Sequence, residues 1–208
     1  MKIFLATGNK HKIDEIKAIF KNVKDIEILS IKDGIEIPEV VEDGDTFEAN
    51  SAKKALEIAK FTGMITIADD SGLCVDALNE EPGVYSARYS GEGATDASNN
   101  AKLIKNLQGI KNRKAHFVSV ITLGKPDGRA YSFRGEVEGE IIDIPRGDTG
   151  FGYDPHFYVA EYGKTLAEMP EMKNVISHRA NALNKLELHT VFPDFFRKIL
   201  KSGENRRI

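Results

Sequence analysis

The first twenty residues constrain the fold more than any other stretch. A short apolar run from Ile3 to Ala6 halts at Thr7-Gly8-Asn9, and Ile13, Ile16, Ile19 and Phe20 then recur on one helical face. An apolar strand-length run that gives way within three residues to a 3.6-residue period predicts strand, turn and helix, here Lys2–Thr7 and Asn9–Lys21. The alternation continues. A strand is expected over Glu27–Ser30. A proline- and acid-bearing loop, Ile37 to Asp45, then leads into a helix whose inward face carries Phe47, Ala52, Ala55, Leu56 and Ala59. Asp45 with Glu48 has the spacing of a capping box for that helix.

Met64–Asp70 reads as a strand ending in two acids, and Leu73–Leu78 as a second strand-like run. A helix over Thr95–Leu107 follows, capped by Thr95 or Asp96. The β-rich runs Ala115–Gly124 and Arg129–Ile144 flank Lys125-Pro126-Asp127-Gly128, a turn signal that predicts an antiparallel hairpin. A glycine-dense loop spans Arg146–Asp154. Helical pattern starts at Ser177, breaks at Pro193 and ends in a polar tail, Ser202–Ile208, expected to fray. Alternating strands and helices followed by a hairpin define an α/β fold with a mixed sheet and flanking helices. Residues 1–208 are expected to form one domain of two lobes.

Composition narrows the function classes. The chain has 208 residues, with 29 Lys+Arg against 32 Asp+Glu and a formal net charge of -3. A chain without basic excess is a poor partner for long nucleic acids but can still hold a small anion in a local basic pocket. Cys74 is the only cysteine, so no internal disulfide can form. It lies in an apolar run and is read as a buried core residue rather than a nucleophile. Cys/His clusters with metal-ligand spacing are absent from the sequence. No apolar run approaches the ~18 residues of a membrane span, and the expected location is the cytoplasm.

Four constellations could carry chemistry. Lys10, His11 and Lys12 occupy a helix first turn, where the backbone's own partial positive charge repels cations. A bound polyphosphate would turn that conflict into attraction, with Thr7, Gly8 and unpaired helix N–H groups completing the cradle. The plainer alternative has Asn9 as a simple cap and the lysines in water. Ser177-His178-Arg179, with Lys173 upstream, repeats the pattern at a second helix start, or is an unrelated solvated end. Glu42, Asp43, Asp45, Asp69 and Asp70 supply hard oxygen ligands of the kind that suits Mg²⁺, although Asp43 and Asp45 also read as turn and cap residues. Gly147 to Pro155 interleaves glycines with Phe151 and Tyr153, which would let a nucleobase approach and stack, or would simply make a turn with two packed rings.

Taken together, Thr7-Gly8-Asn9-x-x-Lys12, Ala68-Asp69-Asp70-Ser71-Gly72-Leu73, Pro82-Gly83-x-Tyr85-Ser86-Ala87-Arg88-Tyr89, Gly150-Phe151-Gly152-Tyr153-Asp154-Pro155 and Ile176-Ser177-His178-Arg179 resemble the Ham1/inosine triphosphate pyrophosphatase family. The resemblance runs from Met1 to about Leu186. It implies an elongated α/β fold with two lobes around a deep substrate cleft, usually as a homodimer. It further implies Mg²⁺-dependent hydrolysis of the triphosphates of deaminated purines (ITP, dITP, XTP) to monophosphate and pyrophosphate, which clears them from the nucleotide pool. By motif position, Thr7, Gly8, Asn9, Lys10, His11 and Lys12 cradle the triphosphate, with Lys54 assisting. Glu42 and Asp70 hold Mg²⁺, and Asp70 is also the catalytic proton acceptor. Ser71 touches substrate, while Phe151, Gly152, Tyr153, Asp154, Lys173, His178 and Arg179 enclose the base. Thr149 replaces a frequent family glycine, a change expected to alter loop mobility slightly. A Maf-like pyrophosphatase preferring other bases and a non-catalytic nucleotide sensor are the competing readings.

Overall fold

The computed structural model describes residues 2–20 and 26–185. Its strands are β1 (Lys2–Ala6), β2 (Glu27–Leu29), β3 (Ile65–Val75), β4 (Lys114–Gly124), β5 (Ala130–Ile141), β6 (Phe157–Val159) and β7 (Lys164–Thr165). Its helices are α1 (Lys10–Phe20), α2 (Phe47–Thr62), α3 (Asp96–Asn106), α4 (Pro170–Ile176) and α5 (His178–Lys185). The strands hydrogen-bond in the order β2-β1-β3-β4-β5-β6-β7. β1 runs parallel to β2 and β3, whereas β6 is antiparallel to β5 and β7, so the sheet is mixed as expected.

The described residues cluster into two compact units. One comprises 2–20, 26–69, Val120–Arg134 and 182–185; the other comprises Asp70–Ser119 and Gly135–Asn181.

In the first unit β1 explains the layering. Ile3, Phe4, Leu5 and Ala6 are all buried, the pattern of a strand covered on both faces. Successive side chains alternate between faces. Ile3 and Leu5 therefore pack with Ile13, Ile16 and Phe20 of α1, while Phe4 and Ala6 pack with Ala55 and Ile58 of α2. At the end of β4, a Cβ on Gly124 would come within 2.7 Å of the Ala55 backbone. Only glycine lets that strand approach α2 so closely. The second unit has its own core, built on Leu73, Val75, Leu103, Phe117, Phe157 and Leu166.

Three local expectations change. Thr46, not Asp45, caps α2, its hydroxyl accepting from Ala49 N at 3.1 Å. The buried face of α2 uses Asn50, Ser51 and Ile58 with Phe47, Ala55 and Ala59, leaving Ala52 and Leu56 only partly covered. Asn50 and Ser51 can be buried because each has a partner: Asn50 Oδ1 accepts from Gly44 N at 2.8 Å and Ser51 Oγ donates to Ala68 O at 3.3 Å. Finally, the two runs around the acid pair are one strand. β3 passes straight through Asp69-Asp70-Ser71-Gly72, so the acids sit mid-strand.

Other expectations hold. Thr95 caps α3, with Oγ1 accepting from Ser98 N at 3.2 Å. The β4 and β5 strands are neighbours joined at the Lys125–Gly128 turn, where Gly128 N donates to Lys125 O at 3.0 Å. Cys74 is buried at 4% exposure. The end of the first helix at Lys21, the helical pattern beyond residue 185 with its break at Pro193, and the 202–208 tail lie outside the described residues.

Candidate active site

Within the first unit, Asn9 answers part of the helix-start conflict. Its Oδ1 accepts from His11 N at 2.9 Å and from Lys12 N at 3.2 Å. Two first-turn N–H groups reserved for an anion are therefore already bonded, and Asn9 is a true cap. Thr7 supports the turn from the strand side, its Oγ1 accepting from Asn9 N at 3.2 Å. The cations diverge. Lys10 and His11 are exposed, whereas Lys12 turns inward and places Nζ 3.5 Å from Asp69 Oδ2.

Thr7, Gly8, Glu42 and Lys54 line one pocket of about 690 Å³. Much of its remaining wall, Ile31, Ile35, Ile37, Pro38, Val40 and Ile58, is apolar, a contribution absent from the sequence reading. Glu42 and Lys54, expected to serve metal and phosphate separately, form a direct ion pair. Asp43 pairs instead with Lys53 at 2.7 Å. That hydrogen bond, reinforced by the lysine's charge, holds the Asp43 carboxyl below the usual range.

In the second unit Asp70 is 5% exposed. Alternation along β3 turns it to the sheet face opposite Asp69 and Ser71. Ser71 is half-exposed, and its Oγ accepts from Arg179 Nη2 at 3.2 Å. Arg179 is wholly enclosed at 0% exposure, a surprising place for a guanidinium. His178 is also buried and stacks on Phe117 with centroids 4.8 Å apart.

The Gly150–Asp154 loop is fastened from several sides. Asp154 Oδ2 accepts from Phe151 N at 2.8 Å and pairs with Lys173 Nζ at 2.6 Å, both side chains being almost fully buried. Lys173 also stands 4.4 Å from the centre of the Phe151 ring, within cation–π range. Gly150 has φ +79°, and a Cβ there would collide with the Asp154 carboxylate. Tyr153 is buried and donates to Ser86 O at 2.8 Å. Burial above all, with the charges of Tyr89 and Asp96, pushes its hydroxyl well above the ordinary tyrosine value. Thr149 donates to Ala167 O, which fastens the chain just ahead of the loop.

Two supporting residues escaped the sequence reading of the site. Asp96 had stood only as an alternative helix cap. Its Oδ2 instead accepts from Gly152 N at 2.7 Å, while Asn100 Nδ2 donates to Gly152 O at 2.9 Å. The pair sits at i and i+4, one face of α3. That spacing of two polar side chains was the available signal.

The sequence profile of the Ham1 family matches residues 3–189. The chain belongs to the Ham1 family. It is 51% identical over 191 residues to a dITP/XTP pyrophosphatase of Geobacter sulfurreducens, covering 90% of this chain and 96% of the relative. Among solved structures, the Ham1 protein of Staphylococcus aureus matches with TM-score 0.80 at 42% identity, over 98% of this chain and all of that one. A Ham1 protein of Coxiella burnetii matches with TM-score 0.82 at 40% identity, over 89% and 96% respectively. The mixed α/β architecture is thus the Ham1 architecture, and the motifs from Thr7-Gly8-Asn9 to Ser177-His178-Arg179 all lie inside the matched span.

Proposed function

We propose that this chain hydrolyses the nucleoside triphosphates of deaminated purines, dITP, ITP and XTP, to the monophosphate and pyrophosphate. The observation that carries this reading is the 51% identity to a dITP/XTP pyrophosphatase over nearly the whole of both chains. The phosphates fall to the basic turn, Thr7 to Lys12, with Lys54. The base falls to the Phe151–Asp154 loop, Lys173, His178 and Arg179.

The donor set fits Mg²⁺. Glu42 and Asp70 offer only hard carboxylate oxygens, the ligand type that Mg²⁺ takes, and Asp70 presents its carboxylate from a position only 5% exposed. When bound, Mg²⁺ supplies positive charge to the phosphate oxygens. Asp70 orients the attacking water and takes its proton as the new bond to phosphorus forms, and pyrophosphate leaves as the anhydride bond breaks. Lys12 and Lys54 neutralise charge on the phosphates.

Selectivity rests on the carbonyl at C6 of hypoxanthine and xanthine, where adenine carries an amino group. A donor facing that position accepts the first two bases and confronts another donor in adenine. Such buried hydrogen bonds can discriminate by about 10⁴–10⁵. The backbone N–H groups of Phe151 and Gly152 already donate to Asp154 and Asp96, which favours Arg179 as the donor. Its Nη2 donates to Ser71 Oγ at 3.2 Å, a bond that a base carbonyl would replace or share on binding.

No helix among the described residues is long and apolar enough to cross a membrane. The family resemblance extends the reading to a cytoplasmic homodimer. A panel of ITP, dITP, XTP, GTP and ATP, scored for pyrophosphate release with and without Mg²⁺, tests the function. Strong preference for the deaminated bases is expected. Equal kcat/KM for ITP and ATP, or release of orthophosphate alone, overturns it.

A further inference from the structure

Cys74, Glu80 and His116 are far apart in sequence and converge in the second unit. A thiol sulfur, a carboxylate oxygen and an imidazole nitrogen from these residues all lie within 4.8 Å of one another. The sequence showed no metal-type Cys/His cluster because two of the ligands come from neighbouring strands, Cys74 from β3 and His116 from β4. Among the described residues this is the one grouping of three such side chains that close.

One edge of this group already has the length found in a small ion's coordination sphere. Zn–N and Zn–O bonds of about 2.0–2.2 Å in a tetrahedron set the two ligand atoms roughly 3.4 Å apart. His116 Nε2 and Glu80 Oε2 are 3.4 Å apart already. The third ligand arises from the same strand as Asp70 and is buried at 4% exposure. Glu80 is presented by a tight turn after β3, where Asn79 and Glu80 both have positive φ and Glu80 N donates back to Val75 O at 3.1 Å. Exposure rises from Cys74 through His116 to Glu80, so the group opens on one side, where water can complete a fourth position.

We infer that Cys74, Glu80 and His116 form a binding site for a borderline-soft divalent transition-metal ion, Zn²⁺ foremost. Thiolate and imidazole select such an ion over Mg²⁺, so this site and the oxygen-only acids Glu42 and Asp70 do not compete for the same metal. On binding, the Cys74 thiol gives its proton to solvent and the sulfur closes on the ion. The ion joins β3, β4 and the Asn79–Glu80 turn, and so anchors the start of the Pro82–Tyr89 segment. That segment positions Ser86, which accepts from Leu73 N at 2.9 Å through Oγ and from Tyr153 through its carbonyl.

The test uses the full chain, stripped with chelator and kept in excess Mg²⁺. Zn²⁺ titrated by calorimetry is expected to bind at one ion per chain without displacement by Mg²⁺. Co²⁺ in its place is expected to give a thiolate-to-cobalt charge-transfer band, and since Cys74 is the only cysteine no other residue can produce one. Cys74→Ala abolishes the band. Glu80→Gln and His116→Gln each weaken Zn²⁺ by more than about 10-fold, the least that loss of even an outer partner does at such sites. Glu80 is exposed, so its variant keeps the fold, which circular dichroism verifies. Absence of the band in the unmodified chain, or unchanged Zn²⁺ affinity in either variant, overturns the proposal and leaves His116 and Glu80 as a close polar contact only.

Discussion

Lys12 Nζ lies 3.5 Å from Asp69 Oδ2, a carboxylate whose side chain has no solvent exposure. This contact accounts for Lys12 in the first turn of α1, where the helix's own dipole disfavours a cation. The lysine reaches to β3, where a buried acid outweighs the few tenths of a kcal/mol lost at the helix terminus. Replacing Lys12 by Met removes that charge from beside a carboxylate already withdrawn from water. The expected loss is about 1–3 kcal/mol of stability, with Lys12→Arg retaining most of it. Urea unfolding measures both.

Asp70 carries the proposed proton transfer. Asp70→Asn preserves size and hydrogen-bonding capacity but not basicity. It is expected to lower kcat by roughly 10²–10⁴-fold while the far-ultraviolet circular dichroism stays that of the parent. Pyrophosphate release from dITP is the readout, and an unchanged kcat removes Asp70 from the mechanism.

The Lys173–Asp154 pair, at 2.6 Å and almost fully buried, behaves differently from the exposed pairs on the surface. Lys173→Met leaves a buried carboxylate without its nearest cation, and such breaks cost about 3–5 kcal/mol. Adding Asp154→Asn removes the stranded charge and is expected to recover part of that loss. Thermal or urea denaturation of the two single variants and the double variant closes the cycle.

Asp96 and Asn100 both bond to Gly152, so they fix the loop's position without belonging to it. Asp96→Ala should destabilise by only about 0.5–1.5 kcal/mol. Its effect on kcat/KM for dITP is expected to be proportionally larger, about 10-fold, because positioning errors near 1 Å are felt strongly in catalysis. Comparing denaturation with kinetics separates the two effects.

Tyr153 gives a pH signature. Burial raises its folded value above the ordinary 10.0. Between the unfolded and folded values the unfolded chain has released a proton that the folded chain keeps. Stability is therefore fully present below the unfolded value and falls as pH rises beyond it. Tyr153→Phe is expected to flatten that fall, measured as denaturation midpoints between about pH 9 and about pH 11.

Much of the fold was legible in the sequence because its cues are local. Apolar periodicity marks β1 and α1, the Pro-Asp-Gly turn marks the β4–β5 connection, and Thr95 marks the start of α3. Local cues failed where a tertiary partner rewrote them. Asp69 and Asp70 read as a strand end because acids rarely sit mid-strand, yet β3 runs on through them, and Lys12 meets Asp69 from outside the strand. Asp45 had the spacing of a cap, but Thr46 presents its hydroxyl to the helix.

The α/β class, the family motifs and the kinds of side chain available for chemistry can all be read from residue order alone. Which side chains meet is a matter of packing: Lys54 with Glu42, Lys12 with Asp69, Asp96 and Asn100 with Gly152, and His116 with Glu80 beside Cys74. Strand and helix periods are properties of a few consecutive residues, fixed by backbone geometry. Pairings depend on sheet order and on which face each strand turns inward, and those are set by the packing of the whole chain.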